Sequence, residues 1–109
     1  MPPQGKPVQL HPQARVELQE SVNFYRNRGG EHWAERFKQR VAEGLNVIAS
    51  KPEGHPPETG LAGVQKLRLK QFPFSLIFVN RTDYVWVVAI AHGSRRPGYW
   101  KNRIPGRGP

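Results

Sequence analysis

Apolar residues recur along this chain with two periods, helical up to about residue 50 and strand-like beyond residue 63. Ala14, Leu18, Val22 and Tyr25 are spaced 4, 4 and 3 apart, which predicts one face of an amphipathic helix. Arg15, Glu17, Gln19, Glu20 and Arg26 fall off that stripe and are expected on the solvent side. Pro12 suits a first helical turn, whereas His11 is a poor N-cap type, so the start is open by a residue or two. Gly29 and Gly30 end the helix by permitting left-handed backbone. Trp33, Phe37, Val41, Leu45 and Ile48 then mark a second helix, ended near Pro52, with Trp33 and Phe37 expected in the core. The short Gly-Gly link makes the two helices an antiparallel hairpin.

The strand pattern is simpler. Val8 and Leu10 flank Gln9 in a short edge strand over residues 7–10. After a breaker-rich loop over residues 50–63, residues 64–71 alternate, with Leu67 and Leu69 opposite Lys66, Arg68 and Lys70. Residues 74–79 are apolar except Ser75, as in a central strand. A turn over residues 80–83 leads to the apolar run Tyr84 to Ala91, paired back as a hairpin. The order is β-α-α-β-β-β, an α+β fold with a helical hairpin on one face of a small antiparallel sheet. Residues 1–6 are expected to be disordered, residues 7–103 to form a single domain, and residues 104–109 to be a flexible tail.

Charge sharpens this picture. The chain has 109 residues and a formal net charge of +9. Residues 1–60 carry 8 basic and 7 acidic groups, whereas residues 61–109 carry 9 basic groups and one acid, Asp83. A positive surface concentrated in one half attracts polyanions, of which nucleic acid is the commonest; an acidic protein partner is the alternative. The absence of cysteine excludes a disulfide framework, thiolate zinc sites and thiol catalysis. The four histidines are dispersed, without metal-ligand spacing, and no glycine-rich phosphate loop precedes a helix. No metal or cofactor is expected. The longest apolar run has eight residues, far below the ~20 needed to span a bilayer. Residues 1–7 lack the apolar segment of a secretory signal, so a cytoplasmic protein is expected.

Two features carry candidate chemistry. The alternating row Lys66, Arg68 and Lys70 sets three cations on one sheet face, which favours phosphates or a partner's carboxylates over mutual repulsion. The same row also reads as a solvated face whose stems cover apolar neighbours. Beyond the last strand, His92, Arg95 and Arg96 precede Tyr99 and Trp100, with Lys101 and Arg103 behind. Guanidinium groups interleaved with rings suit nucleotides, and His can move protons near neutral pH. Equally, Tyr99 and Trp100 can fold back over the sheet edge and leave the cations in water.

Taken in order, these segments resemble the RelE/ParE superfamily of toxins from type II toxin–antitoxin modules. The resemblance is carried by Ala14 and Leu18, Phe24-Tyr25, Phe37 with Leu45 and Ile48, Pro52, Lys66-Leu67-Arg68-Leu69, the Phe72-Pro73-Phe74 segment, and Val88 to His92 followed by Arg95, Arg96 and Pro97. It spans residues 8 to about 103. It implies an acidic antitoxin partner and one of two activities. RelE-like members cleave mRNA on the ribosome; ParE-like members poison DNA gyrase. As a ribonuclease, the chain would use Lys66, Arg68, His92, Arg95 and Tyr99. The resemblance also places Ser75, on the face of Arg68, where RelE-like nucleases have an arginine. A hydroxyl cannot neutralise charge developing on phosphorus. The Phe-Pro-Phe segment and the His92…Arg95-Arg96-Pro97 ending are closer to the ParE branch and its plasmid-stabilisation relatives. The expectation is therefore a ParE-like toxin binding the gyrase–DNA complex through Lys66, Arg68, Lys70, Arg95, Arg96, Tyr99 and Trp100. A RelE-like endoribonuclease is the alternative, and an inactive toxin-fold interaction module the third.

Overall fold

The computed structural model describes residues 5–58 and 61–105. In chain order it has β1 (Val8–Leu10), a long helical element α1 (Pro12–Ser50), β2 (Val64–Arg68), β3 (Phe74–Asn80), β4 (Val85–His92) and a short 3-10 turn (Lys101–Arg103). The four strands form one sheet in the order β1-β4-β3-β2. The β2–β3 and β3–β4 pairs are antiparallel, as expected. The expectation of a wholly antiparallel sheet is corrected: β1 lies parallel to β4, with Val8 opposite Val85 and Leu10 opposite Val87. Parallel neighbours need a long crossover, and here α1, β2 and β3 all intervene between β1 and β4.

The helical element is two arms. A straight helix of its length would run ~58 Å, yet the longest dimension of the fold is 40 Å. The break is Gly30, whose φ of 79° and ψ of −176° are far from helical values. Only glycine adopts this conformation cheaply. Twelve residues apart in sequence, Tyr25 and Phe37 meet with ring centroids 5.1 Å apart, which a continuous helix forbids. The hairpin predicted at Gly29-Gly30 is thus present.

On the second arm the buried positions are Ala34, Phe37, Val41, Gly44 and Ile48. Trp33 is 44% exposed and corrects the expected stripe. Its neighbour Ala34 takes the buried place instead. At Gly44 a Cβ would stand 2.9 Å from Leu76 Cδ1 and 3.0 Å from Leu69 Cδ2. The Trp33 ring lies at the rim of the core, edge-on to Phe72.

Two cores result. Phe37, Ile48, Leu76, Phe78, Val87 and Ile90 fill the space between helices and sheet. Val64, Ile77, Val79, Val88, Ala89, Trp100 and Ile104 form a second cluster on the opposite face. Ile77 pairs with Ala89 while Phe78 pairs with Val87, so Val88 is the extra residue of a β-bulge. The bulge explains why Val88 and Ala89, though adjacent, both serve the second core. The sheet face away from the helices is therefore partly covered by the chain's own C-terminal turn, and only part of it is open.

The ends differ from expectation. Gly5 and Lys6 are described, and Lys6 Nζ donates to Asn80 Oδ1 (2.8 Å) and the Arg81 carbonyl (2.6 Å). Ile104, expected in the tail, is 3% exposed. The rest of the expected disorder and tail, residues 1–4 and 106–109, lies outside the described residues. At the start of α1, His11 is the N-cap after all: its Nδ1 accepts the Gln13 N–H at 3.0 Å. Burial, and then the charge of Arg103, hold the His11 pKa below its ordinary 6.5, against an opposing pull from Glu17. The folded state favours the neutral ring, so this contribution to stability is complete above about pH 6.5 and is lost as pH falls through the lower folded value. Denaturant unfolding at pH 7.5 and pH 5 is expected to show a fall in stability for the native chain. His11→Asn, which retains the cap without titrating, should fall less; equal falls would remove His11 as a source.

Candidate functional site

The site is built where β2, β3 and the segment leaving β4 converge. Val64 faces the second core, so the alternation along β2 places Lys66 on the same face. Ser75 of β3 pairs with Arg68 on one side and Ala91 on the other. After His92 the chain turns twice, with Arg95 N–H donating to the His92 carbonyl at 3.0 Å and Tyr99 N–H to the Arg96 carbonyl at 3.2 Å. These turns bring Arg95, Arg96 and Tyr99 over the end of the sheet. The result is a groove of about 210 Å³ lined by Lys66, Ser75, His92, Arg95, Arg96 and Tyr99, with Glu58, Gly93 and Pro97 also on its wall and Ile77, Ala91 and Trp100 contributing apolar surface.

The groove is cationic. Lys66 is 3.7 Å from Glu58, a loose pair at a half-exposed position. Arg95 lies over the Tyr99 ring at 3.8 Å and reaches to 3.9 Å from Glu17, while half its side chain stays in water. Arg96 has no carboxylate within ion-pair distance among the described residues. His92 Nδ1 accepts from the Ser94 N–H at 3.0 Å, and its ring stands edge-on to Phe74.

Behind the groove lies a residue that the hydrophobic pattern places in solvent. Glu17 is 9% exposed. Its Oε1 accepts the Ile90 N–H at 2.9 Å and Arg103 Nη1 at 3.0 Å; its Oε2 accepts Arg103 Nη2 at 2.9 Å and the Tyr99 hydroxyl at 2.7 Å. Arg103 also donates to the Val88 carbonyl at the bulge. β1 ends at Leu10, so the upper edge of β4 has no strand partner and these side chains satisfy it instead. Two signals for Glu17 were present in the sequence: it lies three residues after Ala14, and the C-terminal cations need a counter-charge.

The network decides what Tyr99 can do. Burial first, then donation to Glu17, push its phenol well above the ordinary tyrosine value. A phenol so raised, with its proton engaged by a carboxylate, is a poor acid and a poorer base near neutral pH.

The remaining expected residues are dispersed. β2 stops at Arg68, not residue 71, so Lys70 lies past the strand. Arg68 and Lys70 line a separate cleft of about 120 Å³ beside Arg40, Glu43 and Val47 of the helix. Trp100 is 1% exposed and belongs to the second core, leaving no ring face for a base. Among the described residues no group of three His, Cys, Asp or Glu side chains is placed to hold a metal ion. Among the same residues no helix is long and apolar enough to cross a membrane.

A helical hairpin on one face of a four-stranded sheet, with a cationic groove at the end of the other face, defines the class: a small basic α+β protein. The sequence profile of the ParE toxin of the type II toxin–antitoxin system parDE matches residues 8–97. The chain belongs to the ParE toxin family. Among solved structures it is similar to a chain of the chromosomal ParDE toxin–antitoxin system from P. aeruginosa, with a TM-score of 0.72 and 19% identity over 80% of this chain and 95% of that one. At that identity the likeness is one of fold. Comparison with curated protein sequences finds no significant match.

Proposed function

We propose that this protein stops growth by binding the DNA gyrase–DNA complex, and that it acts in the cytoplasm until an acidic antitoxin neutralises it. The observation that carries the reading is the groove itself. It offers Lys66, Arg95 and Arg96 for binding, whereas its tyrosine is committed to Glu17 and its third-strand position is a serine. Such a set holds an anion better than it moves protons. Membership of the ParE family supports the same branch.

The antitoxin fits the rest of the surface. Val16, Phe24, Trp33 and Val47 are each close to half exposed along the helical arms. An amphipathic segment rich in Asp and Glu would cover them and compensate the cations.

The ribonuclease reading retains one observation in its favour: Lys66, His92 and Arg95 do line one groove. Purified toxin, gyrase and plasmid DNA separate the two. The expected result is gyrase-linked double-strand breaks that depend on both proteins. No breaks above the gyrase-only level would overturn the gyrase assignment.

A further inference from the structure

We infer that the groove between β2 and the 93–99 segment is a DNA-backbone site, so that the toxin itself grips the phosphodiester chain, independently of sequence. The inference rests on the gyrase reading for its biological setting, but the binding it describes needs no gyrase.

The size of the groove limits the ligand. At about 210 Å³ it lies below the ~300 Å³ at which drug-sized pockets begin. It has room for a phosphodiester and part of a sugar, and its open side lets a chain run on. Its polar lining suits that group. Lys66 is a point charge on the β2 side, and Arg95 and Arg96 are planar forks on the other, with the Ser75 hydroxyl between. Arginine forks meet two oxygens of one phosphate at once. Glu58 offsets Lys66 only loosely, at 3.7 Å, and Arg95 shares Glu17 with the much closer Arg103. The cluster keeps a net positive charge.

A repeating polyanion fits better than a single anion. Arg68 follows Lys66 by two strand residues, ~7 Å along β2, and with Lys70 lines the neighbouring cleft rather than the groove itself. One phosphate cannot span the groove and these cations, whereas a continuous backbone passing through it can meet them in turn. Sequence readout is not expected, because Trp100 is buried and the Tyr99 ring is covered by Arg95. Binding through phosphates alone is sequence-independent and strongly salt-dependent.

The experiment measures binding of the full chain, without gyrase, to fluorescent 20-nucleotide DNAs of unrelated sequence, single-stranded and duplex, between 50 and 300 mM salt. Poly-L-glutamate is the competitor. Native protein should bind all the DNAs similarly, with log K falling linearly with log salt. Lys66→Ala with Arg96→Ala, both at exposed or half-exposed positions, should weaken binding roughly tenfold and flatten the salt slope by about 2, one for each phosphate left without its cation. The charge-matched control, Arg28→Gln with Lys38→Gln on the helical arms, should leave the slope within about 0.5 of native. Equal effects from the two double variants would overturn the site, since net charge alone would then explain the binding. Displacement of DNA by poly-L-glutamate at equal charge concentration would also overturn it and reassign the groove to an acidic protein. Gyrase-dependent breaks by a toxin that does not bind DNA would refute this inference and leave the gyrase reading standing. DNA binding without such breaks would do the reverse.

Discussion

Glu17→Ala is expected to cost about 3–5 kcal/mol of folding stability, the range for removing one partner of a buried ion pair. The side chains of Glu17 and Arg103 are only 10% and 12% exposed, and they meet at 2.9 Å. Without the carboxylate, the guanidinium stays buried beside the Val88 carbonyl, the Ile90 N–H has no acceptor, and the Tyr99 hydroxyl loses its partner. For a domain whose whole stability is ~5–15 kcal/mol, that is a large fraction. Glu17→Gln retains an acceptor and should lose less. Urea unfolding of the three proteins at pH 7 checks the ranking. A loss below about 1 kcal/mol for the alanine variant would mean that water replaces the carboxylate without penalty, as at exposed pairs.

Trp100→Ala is the second large effect, expected at about 3–5 kcal/mol for a buried indole. Trp100 is 1% exposed and, with Ile104, closes the sheet face opposite the helices. Trp100→Phe retains most of the apolar area and should lose much less. The same pair of variants separates core from interface. If Trp100 contacted a target, the alanine variant would unfold normally and lose activity. From its place in the second core, stability falls first, and activity falls only as the folded fraction does.

Much of the fold is legible in the sequence because its signals are local. The Gly29-Gly30 break, the 3.6-residue periods and the alternation along residues 64–68 each depend on neighbours in the chain. The parallel β1–β4 pair is not legible, since it joins residues about 77 apart and leaves no periodic mark. Trp33 misleads because the buried stripe runs through its neighbour Ala34 to Phe37, Val41, Gly44 and Ile48, and small residues such as Ala34 and Gly44 do not stand out in a hydrophobic pattern. The bulge at Val88 is hidden within an unbroken apolar run, where no alternation reveals the change of face.

The candidate site divides along the same line. The clustering of His92, Arg95, Arg96 and Tyr99 follows from their proximity in sequence, and Lys66 joins them through the β2–β3 register. Lys70 separates from the groove because the strand ends at Arg68, earlier than its alternation suggests; Arg68, its last residue, lines the cleft beside the helix instead. Glu17 is hard to read from the sequence because its partners lie 73 to 86 residues away. Yet Glu17, by holding the Tyr99 hydroxyl, is what favours the proposed binding role of the groove over a catalytic one.

The most direct test is to induce the protein alone in a bacterial host and follow DNA and protein synthesis separately by pulse labelling. Arrest of DNA synthesis first, with an SOS response, is the expected result and agrees with a toxin that holds gyrase on cleaved DNA. Arrest of protein synthesis first would contradict it, move the target to the ribosome, and make Lys66, His92 and Arg95, which line one groove, the catalytic candidates.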